Sequence, residues 1–463
     1  MDSPFQRRAF LGCGAAAAAG LLASHWSEAA EAASPGSYLE PAREVPIVAD
    51  SDVVVCGAGP AGVAAAIAAA RAGARTHLIE VNGCLGGIWT AGLLSWILDA
   101  GNKPGLMREI LAELDRRKAS VAYGSSIGYD VEQMKRLLEE LCLEAGVAIR
   151  LHTRVVAAHC DETRRLRLLV TESKSGREAW TAKVFVDASG DGDLAAEAGC
   201  KFDYGREGSG ETQPMSMLAL LTGIKVDEVA PMVNHLVPGQ SGKKNLLAEM
   251  ERAGVSPSYS GPSLFYLHHD LYCLMSNHEY GVSALDAGAI SEATLRARAE
   301  IHKQIEALRA LGKPWTDVQI VATAEHIGVR EGRRILGRYQ VSTKDLVEGA
   351  RHDDAVCRVG FGVDVHSPNP QETKGIRPEG VRAKAYDIPY RALVARDVHG
   401  LLMAGRCISG DFIAHSSYRV TGNAVAMGEA AGVAAALAAA SDRLPHDVPW
   451  SEICGRRDSL ARP

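Results

Sequence analysis

Aromatic side chains are scarce in this chain: Phe, Tyr and Trp make up 5% of its 463 residues. An excess of basic charge is missing too. The formal net charge is -6, which argues against a surface built to neutralise a nucleic-acid backbone. No run of like charge is long enough to act as a tail. The ten cysteines are scattered, without a Cys-x-x-Cys pair. Neither a zinc site nor a disulfide framework is therefore expected. No Ser-His-Asp arrangement or P-loop is present, so hydrolase and kinase readings have no support.

Glycine is plentiful instead, at 47 residues, beside an apolar fraction of 47% and a charged fraction of 23%. That balance suits a globular α/β enzyme with tight strand-to-helix turns and close helix–sheet packing. The length leaves room for two or three domains, or for one large α/β domain with an inserted lobe.

Residues 1–33 read as a signal peptide. The Arg7-Arg8 pair in QRRAFLG precedes the weakly hydrophobic run GCGAAAAAGLLA, and triplets such as Ala30-Glu31-Ala32 offer cleavage sites. A twin-arginine layout belongs to the Tat class, whose cargo folds and loads its cofactor before export. The expectation is Tat machinery as partner and a periplasmic or otherwise extracytoplasmic protein, with 34–50 as a linker. One internal stretch, VVVCGAGPAGVAAAIAAA at 53–70, is about long enough to span a bilayer. Pro60 would disrupt a continuous helix there. A strand, a turn and a buried helix are predicted instead, and no transmembrane anchor.

The run SDVVVC at 51–56 reads as a buried parallel strand. The turn Gly57-Ala58-Gly59-Pro60-Ala61-Gly62 follows, then an Ala-rich helix to about Ala72, then a second strand ending at Glu80. Gly57 permits the tight turn, Gly59 lets a pyrophosphate approach the backbone, and Gly62 lets helix and strand pack closely. The helix N-terminus faces the phosphates, and Glu80 accepts from a ribose hydroxyl. Gly86 and Gly87 then form a Gly-Gly loop, suited to a cofactor that extends past its pyrophosphate. VFVDASGDGD at 184–193 supplies Ala188, Gly190 and Asp191 at another strand end. LLMAGRCISGD at 401–411 supplies Gly405 and Arg406 at a third.

These segments, in this order, resemble the FAD-dependent oxidoreductases of the glutathione-reductase-like fold. They are most similar to the family related to fumarate reductase and succinate dehydrogenase flavoprotein subunits. HIGVREGRRILGRYQVSTKD, YDIPYRALV and AHSSYRVTGNAVAMGEAAGVAAA carry the likeness, which runs from about residue 51 to 440. It implies FAD as cofactor, in a Rossmann-type FAD-binding domain (51–200 and 376–440) with an inserted α+β substrate lobe (201–375) and a tail at 441–463. Two departures stand out. Arg406 follows Gly405 where many such enzymes carry the aspartate that holds the ribityl chain, and Asp411 comes later. Cys84 lies near the region where relatives bind FAD covalently through a histidine; a cysteinyl flavin and a packed thiol are both open, the thiol being favoured.

The resemblance also implies that Arg419, in RVTGN, binds a substrate carboxylate; pairing with a structural carboxylate is the alternative. His415 lies on the same segment, and either moves a proton or caps the helix. His366, in GVDVHSPN, is a further candidate for the same cavity. Asn423 and the backbone around it would stabilise reduced flavin. Arg330, Glu331, Arg333 and Arg334 read as an ion-pair network between lobes, and His268 and His269 as structural. The expected function is hydride transfer between flavin and a small, anionic organic substrate, with a separate electron donor or acceptor. A flavoenzyme without net redox, or an electron-relay subunit, are the alternatives.

Overall fold

The computed structural model describes residues 38–124 and 126–460; the expected signal peptide lies outside them. Tyr38–Val45, in a separate N-terminal unit, have no regular secondary structure. The rest follows from a run of buried β-branched residues. Val53, Val54 and Val55 are fully buried and lie in the strand Ile47–Cys56. Thr76–Ile79 pairs with it in parallel on one side and Gly176–Asp187 on the other. Ala148–Arg150 extends the sheet beyond Thr76–Ile79, and Leu401–Met403 lies parallel to the C-terminal end of Gly176–Asp187. Buried on both faces, such strands read as unbroken apolar runs, as the sequence does here.

The strand Gly176–Asp187 belongs to two layers. Its later half joins the parallel core, while its first half pairs antiparallel with Leu166–Ser173, and that strand with Arg154–Cys160. Lys174 and Ser175 make the hairpin turn, within the predicted SKSGRE loop. The first strand begins at Ile47, inside the expected linker, because Pro46 already accepts from Ala179 N–H at 2.8 Å. The linker thus stops short of 50.

Two helices pack over the parallel strands. Pro60–Arg71 is buried through its first ten residues, and Thr421–Ser441 is buried along most of its length. The latter is long and apolar enough to cross a membrane, but it is enclosed in the protein interior. Glycine and alanine permit the contact. A Cβ on Gly428 would lie 2.0 Å from Ala61 O, and one on Gly432 2.1 Å from Ala65 O. Backbone meets backbone where a side chain would hold the helices apart.

A second apolar core forms the lobe. Its sheet runs Ser263–His268, Leu271–Met275, Leu218–Thr222, Gln319–Thr323, all antiparallel. The helix Ala287–Ala310 covers it with Ala293, Ala297, Ile301, Ile305 and Leu308, spaced at helical period. Leu93, Trp96 and Val131 also join this core, whereas Ile335, Val341, Val356 and Val359 pack into the first one. The lobe core is therefore narrower than the expected 201–375 at its C-terminal side, and borrows from the segment before it.

Candidate active site

Four loops converge at the carboxyl ends of the parallel strands, and glycines mark each approach. Gly57 has φ +89°, and a Cβ there would meet Ala188 O at 2.5 Å. A Cβ on Gly62 would overlap Gly57 O at 1.7 Å; one on Gly87 would lie 3.0 Å from Gly59 Cα, and one on Gly405 3.0 Å from Ala61 Cβ. Gly86 N–H donates to Ala58 O at 2.7 Å. So residues 57–62, 86–87, 188–191 and 405–406 meet around one turn, as the sequence motifs require.

Gly59 differs from its neighbours: a Cβ there would meet nothing within 4 Å. It caps the helix Pro60–Arg71 with no side-chain hydrogen bond and no acidic residue in the first turn. An uncapped helix N-terminus beside open space is a ready anion site. The residues present therefore fit a dinucleotide pyrophosphate. Glu80 is buried and holds the turn itself: its carboxylate accepts from Ala58 N–H at 2.6 Å, Asn82 N–H at 2.9 Å and the Asn82 amide at 2.6 Å. Asp191 pairs with Arg406 at 2.7 Å, above Gly190. Asp187, fully buried below this loop, accepts from Ser189 and Ala195, yet burial pushes its carboxyl up to about 6. Asp411, the late aspartate, accepts from Ala414 N–H and Thr343, capping a short helix Phe412–Tyr418. Cys84 is half-buried beside Thr90.

That short helix separates AHSSYRVTGN into two elements. Arg419 is its C-cap and Val420 the N-cap of Thr421–Ser441. The backbone of Leu98 and Asp99 lies against the first turn of the long helix, with Leu98 O accepting from Gly422 N–H at 3.3 Å. Asn423 is fully buried; its amide donates to Tyr418 O at 3.3 Å, leaving Oδ1 without a partner. His415 is fully buried, neither ring nitrogen has a hydrogen-bond partner, and its Nδ1 is 3.6 Å from Glu331 Oε1. Burial, then Arg334 and Arg419, hold its pKa well below the usual histidine value.

Gln213 organises the other side. Its amide donates to Glu331 at 3.0 Å, and its oxygen accepts from His366 N–H at 3.0 Å and Arg419 Nη2 at 3.1 Å. Arg419 also donates to Asp364 O at 2.8 Å, with the Asp364 carboxylate 3.9 Å away. His366 Nδ1 meets His278 Nε2 at 2.9 Å, and its Nε2 lies 3.4 Å from Asp364 Oδ2. Burial and the nearby Arg330 push His366 down to about 3.

The expected cluster 330–334 divides in three. Arg334 pairs with Glu331, and Arg333 with Asp193. Arg330 instead donates to Pro214 O and Ser216 Oγ, and among the described residues no carboxylate lies within ion-pair distance of it. Burial, then Arg419, push it down to about 10. His268 is bonded to Asp130 at 2.7 Å, remote from the site in sequence and role. The structure thus brings His366, Arg419 and, behind Glu331, His415 together, and adds Gln213, Arg330, Asp364 and His278. Gln213 and His278 carry no motif, whereas Arg330 lies in HIGVREGRRILG and Asp364 in GVDVHSPN. Only the tertiary fold joins the lobe strand ending near His278 to the segment at 364–366.

The chain matches the family of FAD dependent oxidoreductases over residues 52–456. It belongs to that family. The enzyme is an FAD-dependent oxidoreductase, with FAD as its cofactor. No curated protein matches it. Among solved structures, a geranylgeranyl bacteriochlorophyll reductase-like protein from Thermoplasma acidophilum is 13% identical, with 89% of this chain and 83% of that one covered at a TM-score of 0.47. The flavin-dependent brominase Bmp2 is also 13% identical, covering 88% of this chain and 83% of that one at 0.46. The flavin-dependent monooxygenase PieE, solved with FAD and substrate, is 16% identical over 64% of this chain and 52% of that one, at 0.43.

Proposed function

We propose that this oxidoreductase acts, after export, on a small anionic organic substrate held by Arg419 and Arg330. The observation that carries the reading is a buried guanidinium, Arg330, beside a largely covered one, Arg419, both short of counter-charge. Arg330 has no carboxylate partner among the described residues, and Asp364 lies 3.9 Å from Arg419. Burying cations without partners costs several kcal/mol, at roughly that scale per ion. A substrate carboxylate supplies the missing charge, and a planar guanidinium binds it through two hydrogen bonds.

Bound FAD supplies hydride transfer at its N5 atom. The chain's own residues do the rest. The turn at Gly59 and the helix start behind it hold the phosphates, and Gly87 and Gly405 let the backbone approach them. Arg419 and Arg330 orient the substrate. Gln213 keeps Arg419 and His366 in register through one carbonyl oxygen. His366 and its neighbours handle the proton. The resemblance of RVTGN to the pattern of fumarate-reductase-type flavoproteins supports the same assignment for Arg419.

Arg419→Ala tests this. Truncating one side of a buried charge pair costs about 2 kcal/mol or more, so KM should rise at least ~30-fold. Flavin absorbance per protein should stay near the wild-type value. Flavin lost from a folded variant would make Arg419 a cofactor contact and sink the reading.

A further inference from the structure

The two histidines lie in a longer chain of contacts than substrate binding needs. Asp364 Oδ2 faces His366 Nε2 at 3.4 Å. His366 Nδ1 faces His278 Nε2 at 2.9 Å, and His278 Nδ1 faces the Tyr280 hydroxyl at 3.1 Å. That hydroxyl donates to Ser258 O at 3.0 Å. His278 and His366 are buried, while Asp364 and Tyr280 at the two ends are only partly covered.

The chain is one proton short of its contacts. Both ends of the chain are acceptors only: an ionised carboxylate and a backbone carbonyl. There are four contacts between them. Neutral His366, neutral His278 and Tyr280 contribute one proton each, which fills three. The Tyr280 proton goes to Ser258 O, so His278 must donate from Nδ1 and His366 from its own Nδ1. The bare Nε2 of His366 is left facing the Asp364 carboxylate across 3.4 Å, the longest of the four contacts. One proton is missing there.

We propose that Asp364, His366, His278 and Tyr280 form a proton relay with a single vacancy, filled when an anionic substrate occupies Arg330 and Arg419. The proposal rests on the anion-binding reading above. A substrate undergoing reduction gains one hydride, given by the enzyme's reduced FAD, and one proton. That proton, drawn into the relay when the anion binds, passes from His366 Nε2 by way of the partly exposed Asp364 carboxylate to the substrate and leaves the vacancy open again. Asp364 is the end that faces substrate, and His278 and Tyr280 are positioning residues.

Substrate charge controls the vacancy. The groups facing the relay are Arg330 and Arg419, Tyr259 tilted against both rings at 4.3 and 5.5 Å, and Lys243 over the Tyr259 ring at 6.0 Å. Glu300 stands behind Ser258, accepting from its N–H and hydroxyl at 2.7 Å each. Burial and Arg330 oppose protonation of both histidines. Despite burial, His366, Arg419 and Arg330 keep Asp364 ionised, well below the usual carboxylate range. An anion on the two arginines cancels the main opposing charges, so the relay gains its proton only with substrate in place.

The test is calorimetric titration of the holoenzyme with malonate at neutral pH, in two buffers of different ionisation enthalpy. A non-reacting anion must draw its proton from solvent, so uptake of about one proton per malonate bound is expected. Tyr280→Phe removes the last donor and acceptor. His278 and His366 then fill both remaining contacts with their own protons, His366 Nε2–H donating to Asp364. Malonate should still bind, but uptake should fall toward zero. His366→Gln, which removes the vacancy outright, should do the same. Binding without uptake in the wild type, or unchanged uptake in both variants, overturns the relay alone. Failure of malonate to bind overturns the anion site and the relay with it.

Discussion

Two glycines of one turn have different jobs, and the space around each says which. A Cβ on Gly62 would sit 1.7 Å from Gly57 O, so Gly62→Ala forces strand and helix apart. Overpacking of that kind costs about 1–3 kcal/mol. Gly59 has φ -65° and open space where a Cβ would point, so the fold accepts alanine there. The added methyl instead occupies the approach to the phosphates. Chemical denaturation and flavin absorbance should therefore separate the two variants. Gly62→Ala should lower the unfolding midpoint of the apoprotein. Gly59→Ala should leave it within about 0.5 kcal/mol, as for changes away from packed features, while flavin content falls. Equal loss of stability in both would mean that the turn is only structural.

At the scale of elements, Gly428 sets two effects against each other. Replacing a mid-helix glycine by alanine favours the helix by about 1 kcal/mol. Here the new Cβ would lie 2.0 Å from Ala61 O, on the backbone of the partner helix. Backbone cannot swing aside as a side chain can, so packing should win. Gly428→Ala is expected to destabilise by a net 1 kcal/mol or so, read from urea unfolding; a more stable variant would show that the helices are not held by this contact. The turn at 57–62 was legible in the sequence, because glycines at that spacing between a strand and a helix leave few other arrangements. The contact of Gly428 with Ala61 was not, since the partner helix lies far away in sequence. Ile47 was not: it is exposed, and only its pairing with Gly176–Asp187 extends the strand past residue 51. The short helix after Asp411 was not legible either: the N-cap aspartate is its one local signal, and seven residues are too few to show a helical period. His278 had no local signal at all: its role comes from His366, far away in sequence. Asp364 sits two residues before His366, and only Arg330 and Arg419, brought in by the fold, give that pair its setting.

For the whole molecule, the twin arginines predict the order of folding and transport. Replacing Arg7 and Arg8 with lysines should leave the enzyme in the cytoplasm with its flavin already loaded, as cell fractionation and absorbance would show. Export of the variant in normal amounts would refute a Tat route. The architecture adds a constraint of its own. The loops that meet around Gly59 begin at Gly57 and end at Arg406, and the last is aligned by Leu401–Met403 lying against Gly176–Asp187. Strand pairing between segments so far apart forms late, after the intervening lobe. A nascent chain that stops short of Leu401 has the first turn but lacks the loop that closes over it. Retained flavin would therefore report a chain made at least as far as the loop at 405–406.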